Sequence, residues 1–358
     1  MMKVSIAIIA YNHSKFIIQA VNSVLMQQVN FDYELVIGED CSTDNTGELL
    51  VNLQKQHPNK IRLLSSEKNL GVQRNYNRTI QACQGQYIAV LDGDDYWTSP
   101  CKLQKQVDFL DSHPEFTACF HNVLIYFEDE SRAHHRMRPP DQRKVVTFED
   151  LLITKTIPTC SLMFRNGLVK EFPEWAYSVY MVDWLLNLLC ARNGPIGYID
   201  EMMATYRIHP EGLWSSMSYI QQLFADMEFL ELLDVYLGLK YNRTITWAVS
   251  DRWSKIAKDL IELAIQQPTA DEAMTVLEAQ WRAWPAKFKL PSALKRQIKG
   301  EIYGHFATES LVKGDIATTR TCLIKAVSFD PSWLRNWGWW SMGLRSFLQQ
   351  PISEKLHW

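Results

Sequence analysis

The chain has 358 residues, of which 47% are hydrophobic and 22% are charged, and this composition suits one large globular domain with an appendage, or two domains. Its net charge of −3 argues against a general nucleic-acid-binding protein, because such proteins are usually basic. Seven single cysteines without a CxxC pair argue against a disulfide framework or a zinc site and suit a reducing compartment.

The sequence carries no pattern typical of export or of a membrane span. The apolar run at residues 5–10 is too short for a signal peptide and continues directly into the polar stretch YNHSK. No stretch reaches the roughly 18 apolar residues that a membrane-spanning helix needs. We therefore expect a soluble cytoplasmic protein.

Strand and helix patterns alternate through the first hundred residues. Buried-strand patterns cover 4–11, 33–40, 60–66 and 86–92, and helix patterns cover 14–28, 46–57 and 72–83. Ser14 is the expected N-cap of the first helix. Ser42, Thr43 and Asp44 precede the second helix, where capping is their simplest role. Strand–helix units at this spacing predict an α/β fold with a mostly parallel sheet flanked by helices.

The second half of the chain has a different pattern. A helix is predicted at 102–113, a strand at 117–127 and another helix at 181–194, and the charged segment at 128–144 is expected to be mobile or near a substrate. Beyond about residue 217, amphipathic helices replace strands. The segment 304–333 resembles a tetratricopeptide-like hairpin that turns at Gly314 and Asp315. The sequence therefore predicts a first domain at 1–216 and an α-helical appendage at 217–358.

Polar clusters follow three of the predicted strands. They are Tyr11-Asn12, Glu39-Asp40 and the group from Asp92 to Asp95. In parallel sheets, ligands bind at the carboxyl ends of the strands. We therefore expect these three clusters to meet at one edge of the sheet and to form a binding site there.

The densest cluster is LDGDDYW, at residues 91–97. Three carboxylates within four residues repel one another unless a cation lies among them, and oxygen ligands on a loop suit Mn²⁺ or Mg²⁺ with room for substrate phosphates. Gly93 lets the backbone turn tightly between Asp92 and Asp94. The alternative is a polar turn whose aspartates cap the next helix. Convergence with the other two clusters favours a metal that holds a diphosphate leaving group.

Four blocks resemble, in order and spacing, the nucleotide-binding half of family-2 glycosyltransferases of the GT-A fold. They are VSIAIIAYN, GEDCSTDNT, NLGVQRNYN and YIAVLDGDDYW. The later stretch MVDWLLNLLCARNGPIGYIDEMMATYRIHPEGLWS resembles the acceptor-side half of that family's bacterial polysaccharide enzymes. The resemblance covers about residues 3–216. It implies a GT-A catalytic domain, a nucleotide-sugar donor, and Mn²⁺ or Mg²⁺ as cofactor.

The resemblance also implies roles for residues of the first three blocks. Asp40 would accept a hydrogen bond from the N3–H of a uracil or thymine, with Tyr11 packed on that base and Asn12 nearby. Glu39 stands where the family often has Asp, which leaves the base specificity open. Arg74 could face the nucleotide diphosphate, or it could lie on a solvated helix face.

For the metal and the ribose, the resemblance points to the fourth block and to a histidine. Asp92 and Asp94 would hold the ribose or the metal, and Asp95 would be the most direct metal ligand. His209, in YRIHPEGLWSS, would complete the metal shell or contact the diphosphate. A lone histidine is otherwise a structural residue.

Asp183 is the candidate catalytic base, because the family carries an Asp in this block. Inverting transfer needs a carboxylate that takes the proton of the acceptor hydroxyl as it attacks the anomeric carbon. Trp184 would help to exclude water on the acceptor side, and Trp214 and Ser215 would shape a lid. The alternative for Asp183 is a charge that only favours the start of its helix.

Two further segments have two interpretations each. WLRNWGWWSMGLRSFL, at 333–348, suits a membrane interface, so peripheral contact at the inner face of the plasma membrane is one expectation, and packing of the helical appendage is the other. HHRMRPPDQRK, at 134–144, could attract an anionic acceptor or form a solvated loop.

The function predicted from these observations is metal-dependent, inverting transfer of a sugar from a nucleotide diphosphate, UDP in the first place, to a glycan or lipid-linked acceptor in polysaccharide synthesis. A sugar nucleotidyltransferase is disfavoured because the turn after the first strand, AYNHSKF, is not a Gly-rich, basic triphosphate loop. A non-catalytic helical scaffold with a degenerate sugar-nucleotide domain is disfavoured because the acidic set is complete. That set is Asp40, Asp92, Asp94, Asp95 and Asp183.

Overall fold

The computed structural model describes residues 2–139, 143–155, 157–335 and 337–348. The chain forms two compact units that divide between Ala248 and Val249. The first compact unit continues beyond residue 216, so the domain boundary predicted there stays a prediction.

The strands of the described chain are β1 (Val4–Ala10), β2 (Tyr33–Glu39), β3 (Ile61–Leu64), β4 (Tyr87–Asp92), β5 (Tyr96–Trp97), β6 (Ala118–Phe127), β7 (His135–Arg136), β8 (Val145–Val146), β9 (Met163–Arg165) and β10 (Ile196–Ile208). The helices of the first unit are α1 (Ile17–Leu25), α2 (Thr46–Gln56), α3 (Val72–Ala82), α4 (Lys102–Ser112), α5 (Phe148–Ile153), α6 (Val182–Ala191) and α7 (Tyr219–Tyr236). Helix α8 (Asn242–Ala264) begins in the first unit, and α9 (Ala270–Ala283), α10 (Ser292–Val312), α11 (Ile316–Phe329) and α12 (Trp337–Leu348) follow.

The strands form one ten-stranded sheet in the order β3-β2-β1-β4-β9-β6-β10-β5, with β7 paired to β6 and β8 paired to β10. Strands β3, β2, β1 and β4 are parallel, as are β6 and β10. Strand β9 is antiparallel to both β4 and β6. The predicted α/β fold, followed by a helical region, is present, and the antiparallel strands β5, β7, β8 and β9 make the sheet mixed.

The core of the first unit forms because the central strands are apolar on both faces. Strands β1 and β2 are buried at every position, and α1 places its apolar residues against the sheet. The predicted N-cap of α1 is wrong: the helix begins at Ile17, and Phe16 occupies the N-cap position without a side-chain hydrogen bond. The backbone N–H of Ser14 instead donates to Asp44 Oδ2 at 3.1 Å. The backbone of Ser14 therefore joins the loop after β1 to the loop after β2.

Strand β10 follows β6 with two shifts of register, which form a bulge. Ile199 pairs with His121, Met202 with Asn122, and Ala204 with Val123. Residues 200, 201 and 203 therefore have no partner on β6. Beyond the bulge the pairing is regular, and Arg207 lies opposite Tyr126.

A lysine is buried inside the first unit. Lys102, the first residue of α4, has no exposed surface. Its Nζ donates to Gln106 Oε1 at 2.7 Å and lies 3.8 Å from the centroid of the Trp97 ring. Burial lowers the pKa of this ammonium from 10.5 to about 7, because a charge is costly in an apolar surrounding.

We expect the folded protein to become more stable as pH rises between about 7 and 10. In that range the unfolded chain keeps a proton on Lys102 that the folded chain releases, so the free energy of unfolding increases with pH. Lys102→Met removes this proton and keeps an unbranched side chain. The melting temperature of the wild type minus that of the variant should therefore increase between pH about 7 and about 9.5. A constant difference across this range would contradict the burial argument.

The second unit is helical in its described part. Helices α10 and α11 form a hairpin that turns at Gly314, whose φ of 78° suits glycine, and Asp315 accepts from the backbone N–H of Thr318 at 3.0 Å. This hairpin was predicted, and its tetratricopeptide-like character stays a prediction. Among the described residues no helix is long and apolar enough to cross a membrane. The predicted membrane contact through 333–348 falls partly on Asn336, which lies outside the described residues.

Candidate active site

Three strand ends lie side by side at one edge of the sheet. Ala10 at the end of β1 pairs with Glu39 at the end of β2, and Ile9 pairs with Asp92 at the end of β4. The polar residues that follow these strands therefore start from neighbouring positions. The expected convergence of the three clusters is present.

Hydrogen bonds tie the loop after β1 to the loop after β2. Asn12, whose φ is 56°, accepts at Oδ1 from the backbone N–H of Thr43 at 2.8 Å, and its own N–H donates to Ser42 Oγ at 3.0 Å. Asp44 accepts from the backbone N–H of Thr46 at 2.9 Å, at the start of α2. Helix α2 has Asn45 at its N-cap and no side-chain cap bond, so Asp44 lies one residue before the cap, whereas Ser42 and Thr43 join the two loops.

Asp40 holds the loop that precedes α3. Its Oδ1 accepts from the N–H of Leu70 at 2.8 Å and its Oδ2 from the N–H of Gly71 at 3.0 Å. Gly71 has φ of 89°, a conformation that favours glycine. Each carboxylate oxygen has a second lone pair, so recognition of a base by Asp40 stays a prediction. Tyr11 is 40% exposed and offers an aromatic surface beside this carboxylate's strand.

The segment from Asp92 to Asp95 makes a tight turn that requires glycine at its second position. Gly93 donates its N–H to Ile9 O at 2.8 Å. A Cβ at this position would lie 2.6 Å from His13 Nδ1 and 3.0 Å from Ile9 O, which is too close for any side chain. Helix α4 has Cys101 at its N-cap and no side-chain cap bond, so the aspartates do not cap the next helix.

Asp94 faces two imidazoles. Its Oδ2 lies 3.1 Å from His209 Nε2 and 3.8 Å from His13 Nε2. Burial alone would raise the pKa of Asp94, but the charge of His13 and the hydrogen bond and charge of His209 lower it below the ordinary value. Asp94 is therefore the ionised member of the cluster.

The other two carboxylates have different surroundings. Burial, with the neighbouring charge of Asp94, raises the pKa of Asp92 to about 7, and the hydroxyl of Tyr76 donates to its Oδ1. Asp95 is only 2% exposed, and its Oδ1 accepts from the backbone N–H of Arg207 at 2.8 Å. Its Oδ2 is buried and has no hydrogen-bond partner among the described residues. The backbone of Arg207 thus holds one oxygen of Asp95, and the role of Asp95 as the most direct metal ligand stays a prediction.

Side-chain contacts within the loop after β10, and with Lys155, hold this loop in place. His209 is buried, and Ser215 Oγ donates to its carbonyl oxygen at 2.6 Å. Lys155 Nζ lies 3.3 Å from the centroid of the Trp214 ring and 2.8 Å from Asp226 Oδ1. Ser215 and Trp214 thus lie in the loop that carries His209, and their role as a lid stays a prediction.

Asp183 lies in the first turn of α6. Burial raises its pKa, and the nearby charge of Lys155 opposes that shift. The charge of Asp183 in turn contributes to the raised pKa values of Asp92 and Tyr76, so it lies within electrostatic reach of the turn. A carboxyl with a raised pKa near a polar cleft is a candidate acid–base group.

Two predicted residues have contacts that point away from their expected roles. Trp184 has no exposed surface, donates from Nε1 to Leu151 O at 2.6 Å and stacks on Phe229 at 4.7 Å between ring centroids. It is a core residue, and its predicted part in excluding water on the acceptor side stays a prediction. The guanidinium of Arg74 lies 4.2 Å over the Tyr177 ring, and its contact with a diphosphate stays a prediction.

The donor set at this edge suits a divalent cation that also binds a substrate. In the described part of the chain no group of three or more His, Cys, Asp or Glu side chains is arranged to hold a metal. Mg²⁺-type sites that bind substrate phosphates need only one or two carboxylates from the protein. Asp94 supplies such a carboxylate, and His209 Nε2 lies 3.1 Å from its Oδ2.

Sequence reasoning missed His13, Tyr76 and Arg207, although a signal for each was present. His13 directly follows the polar pair after β1, and Tyr76 lies within the block NLGVQRNYN. Arg207 lies two residues before His209, so the two side chains point to the same side of an extended segment.

Comparison with known proteins gives one family. Residues 5–172 match the family model described as Glycosyl transferase family 2. TuaG of Bacillus subtilis, whose name describes a glycosyltransferase of teichuronic acid biosynthesis, is 36% identical over 209 residues, which are 57% of this chain and 79% of TuaG. Mycobacterial relatives are 35% identical over 212 residues, and the match spans 59% of this chain but only 60% of their length.

Two solved structures share the fold. TarS 1–349 of S. aureus, solved in complex with UDP-GlcNAc, is 18% identical with a TM-score of 0.55, covering 93% of this chain and 92% of that one. The mannosyltransferase PcManGT of Pyrobaculum calidifontis, solved with GDP-Man and Mn²⁺, is 14% identical with a TM-score of 0.52, covering 94% and 87%. With the family model and TuaG, the expected family is confirmed: the chain belongs to glycosyl transferase family 2.

Proposed function

We propose that the chain is a metal-dependent, inverting glycosyltransferase. It would move a sugar from a nucleotide diphosphate, UDP in the first place, to a hydroxyl of a glycan or lipid-linked acceptor in polysaccharide synthesis. The observation that carries this proposal is the pair of Asp94 and His209, 3.1 Å apart at the sheet edge where the three polar clusters meet.

The nucleotide would lie along the ends of β1, β2 and β4. Tyr11 would pack on the base, while Asp40 and Asn12 shape the loops beside it. Arg74 would approach the diphosphate from α3. TarS and PcManGT, which share the fold, were solved with UDP-GlcNAc and GDP-Man, and this supports a nucleotide-sugar donor without choosing the base.

Asp94 and His209 would hold the cation, and Asp92 would contact either the cation or the ribose. When bound, Mn²⁺ or Mg²⁺ would neutralise the diphosphate and stabilise it as a leaving group. The solved complex of PcManGT with Mn²⁺ supports this choice of ion. Asp95 would support the turn from behind, since its carboxylate is buried.

Asp183 would act as the general base. Its carboxylate takes the proton of the acceptor hydroxyl while that oxygen forms a bond to the anomeric carbon, and the bond from this carbon to the diphosphate oxygen breaks on the opposite face. A single displacement of this kind inverts the anomeric configuration. Asp183 lies in the first turn of α6, so its side chain extends from a rigid helical backbone.

Membrane contact through 333–348 belongs to the same proposal. Tryptophans and arginines in this segment suit an interface where a lipid-linked acceptor would be reached. Flotation of the full chain with anionic liposomes, compared with a chain that ends at residue 332, tests it. Equal flotation of the two chains would remove the membrane contact from the proposal.

Calorimetric binding of UDP, dTDP, GDP and CDP to the wild type, with and without Mn²⁺, tests the proposed function. We expect one nucleotide to bind tightly and only with Mn²⁺, because the ion held by Asp94 would in turn hold the diphosphate. Binding of none of them would overturn the enzymatic proposal and would favour a non-catalytic scaffold. A preference for a nucleoside triphosphate, included as a control, would favour a nucleotidyltransferase.

A further inference from the structure

We propose that Arg207 is a positioning residue that fixes the distance between Asp94 and His209. This inference rests on the proposed function, because it concerns how the chain prepares its donor site. One residue of β10 holds two of the three aspartates of the turn: Arg207 Nε donates to Asp94 O at 2.8 Å, and its backbone N–H donates to Asp95 Oδ1 at 2.8 Å.

The turn and β10 are joined by the sheet itself. Strand β5 directly follows the turn and pairs with β10, with Tyr96 opposite Thr205. The turn therefore lies close to Arg207, near the end of β10, and to His209, which directly follows that strand. Arg207 holds the main chain of Asp94, while His209 meets its side chain.

The guanidinium of Arg207 is itself fixed by polar and aromatic contacts. It donates to Gln19 Oε1 at 2.6 Å and pairs with Glu128. Three aromatic rings pack around it, with centroids 4.6, 5.2 and 5.6 Å from Cζ, and they belong to Phe16, Tyr96 and Tyr126. Only 7% of the Arg207 side chain is exposed. Because these contacts fix the guanidinium, its hydrogen bond to Asp94 O also fixes the position of the turn.

The same ring that packs on Arg207 also packs on His209. The Phe16 ring centroid lies 4.6 Å from Arg207 Cζ and 4.8 Å from the centroid of the His209 ring. Arg207 and His209 therefore share one surface, and a shift of the guanidinium would move the turn and the imidazole relative to each other. The separation of Asp94 Oδ2 and His209 Nε2 depends on this arrangement.

Lysine cannot replace arginine here. The donors to Asp94 O, Gln19 and Glu128 are separate nitrogens of one planar group, whereas an ammonium is a single point with a flexible stem. Arg207→Lys keeps the positive charge and most of the apolar stem but loses the simultaneous contacts. The change therefore tests position and not charge.

The experiment measures UDP affinity by calorimetry with and without Mn²⁺, together with the melting temperature. In Arg207→Lys we expect the Mn²⁺-dependent affinity to fall about 10- to 100-fold, as when partners that orient metal ligands are removed, while the weak or absent binding without Mn²⁺ stays as in the wild type. Arg62→Lys is the matched control, because Arg62 also pairs with a glutamate, Glu34, at 3.1 Å but lies outside the proposed site. We expect that control to bind as the wild type does.

The outcomes separate this inference from the proposed function. If the wild type binds UDP with Mn²⁺ and Arg207→Lys binds equally well, the positioning role is wrong while the function stands. If the wild type binds another of the four nucleotides instead of UDP, that nucleotide is the probe, and if it binds none of them, the proposed function fails first. Should Arg207→Lys melt well below the control, Glu128→Gln decides, because it loosens the guanidinium and keeps its packing. A smaller loss of Mn²⁺-dependent affinity in that variant supports the role, and wild-type affinity overturns it.

Discussion

The variant Asp183→Asn should fold and bind the donor nucleotide as the wild type does, yet transfer sugar about 10²- to 10⁴-fold more slowly. The reason is that asparagine has nearly the same shape but cannot accept the proton of the acceptor hydroxyl. The loss should therefore appear in kcat, while the affinity for UDP with Mn²⁺ is unchanged. Release of UDP from a donor sugar in the presence of acceptor measures kcat, and calorimetry measures the affinity.

The pH dependence gives a second test of the same residue. Burial raises the pKa of Asp183, so its ionised fraction in the folded protein falls at a higher pH than for an ordinary carboxyl. The rate should decline as pH falls through this raised pKa, because only the ionised form accepts a proton. Asp200→Asn is the control, since Asp200 is exposed and pairs with Arg136. Near wild-type transfer by Asp183→Asn would show that another group is the base.

The second large effect is expected from Asp94→Asn. Replacing the ionised carboxylate that faces His209 should remove most of the Mn²⁺-dependent nucleotide affinity and slow transfer by about 10²- to 10³-fold, since a bound cation supplies several kcal/mol to the departing diphosphate. Calorimetry of UDP with a series of Mn²⁺ concentrations measures the loss.

Asp95→Asn is the matched comparison, because it makes the same substitution at the next residue. Asp95 is buried, and an asparagine Oδ1 can still accept from the backbone N–H of Arg207. We therefore expect Asp95→Asn to keep Mn²⁺-dependent binding. The reverse result, with binding lost in Asp95→Asn and kept in Asp94→Asn, would restore Asp95 as the metal ligand.

Much of the fold could be predicted from sequence because its central strands are apolar runs that alternate with amphipathic helices. The short strands could not: β5, β7 and β8 have two residues each, and β9 has three. Their pairing is decided by the neighbours they meet in the sheet and not by their own pattern. The antiparallel insertion of β9 between β4 and β6 is of this kind.

The site was predictable in residue type and location but not in orientation. The sequence placed carboxylates at the ends of strands, and the structure has them there. The orientation of each carboxylate depends on the local turn at Gly93 and on the contact with Arg207, which is remote in sequence. The spacing of the residues reveals neither. Trp184 looked like an acceptor-side residue because it follows Asp183, yet the helix turns its ring into the core.

The bulge in β10 sets apart a segment whose length can change from one whose length cannot. Residues 200, 201 and 203 have no partners on β6, whereas the residues from Ala204 to Ile208 pair regularly with it. A bulge absorbs extra residues locally, so a deletion among the unpaired residues should leave the later pairing, and with it the facing of Arg207, unchanged. A deletion between Ala204 and Ile208 would instead shift the register by one residue and turn the side chains before it or after it to the opposite face. Insertions and deletions in homologous chains should therefore occur at the bulge and not in the paired segment that follows it.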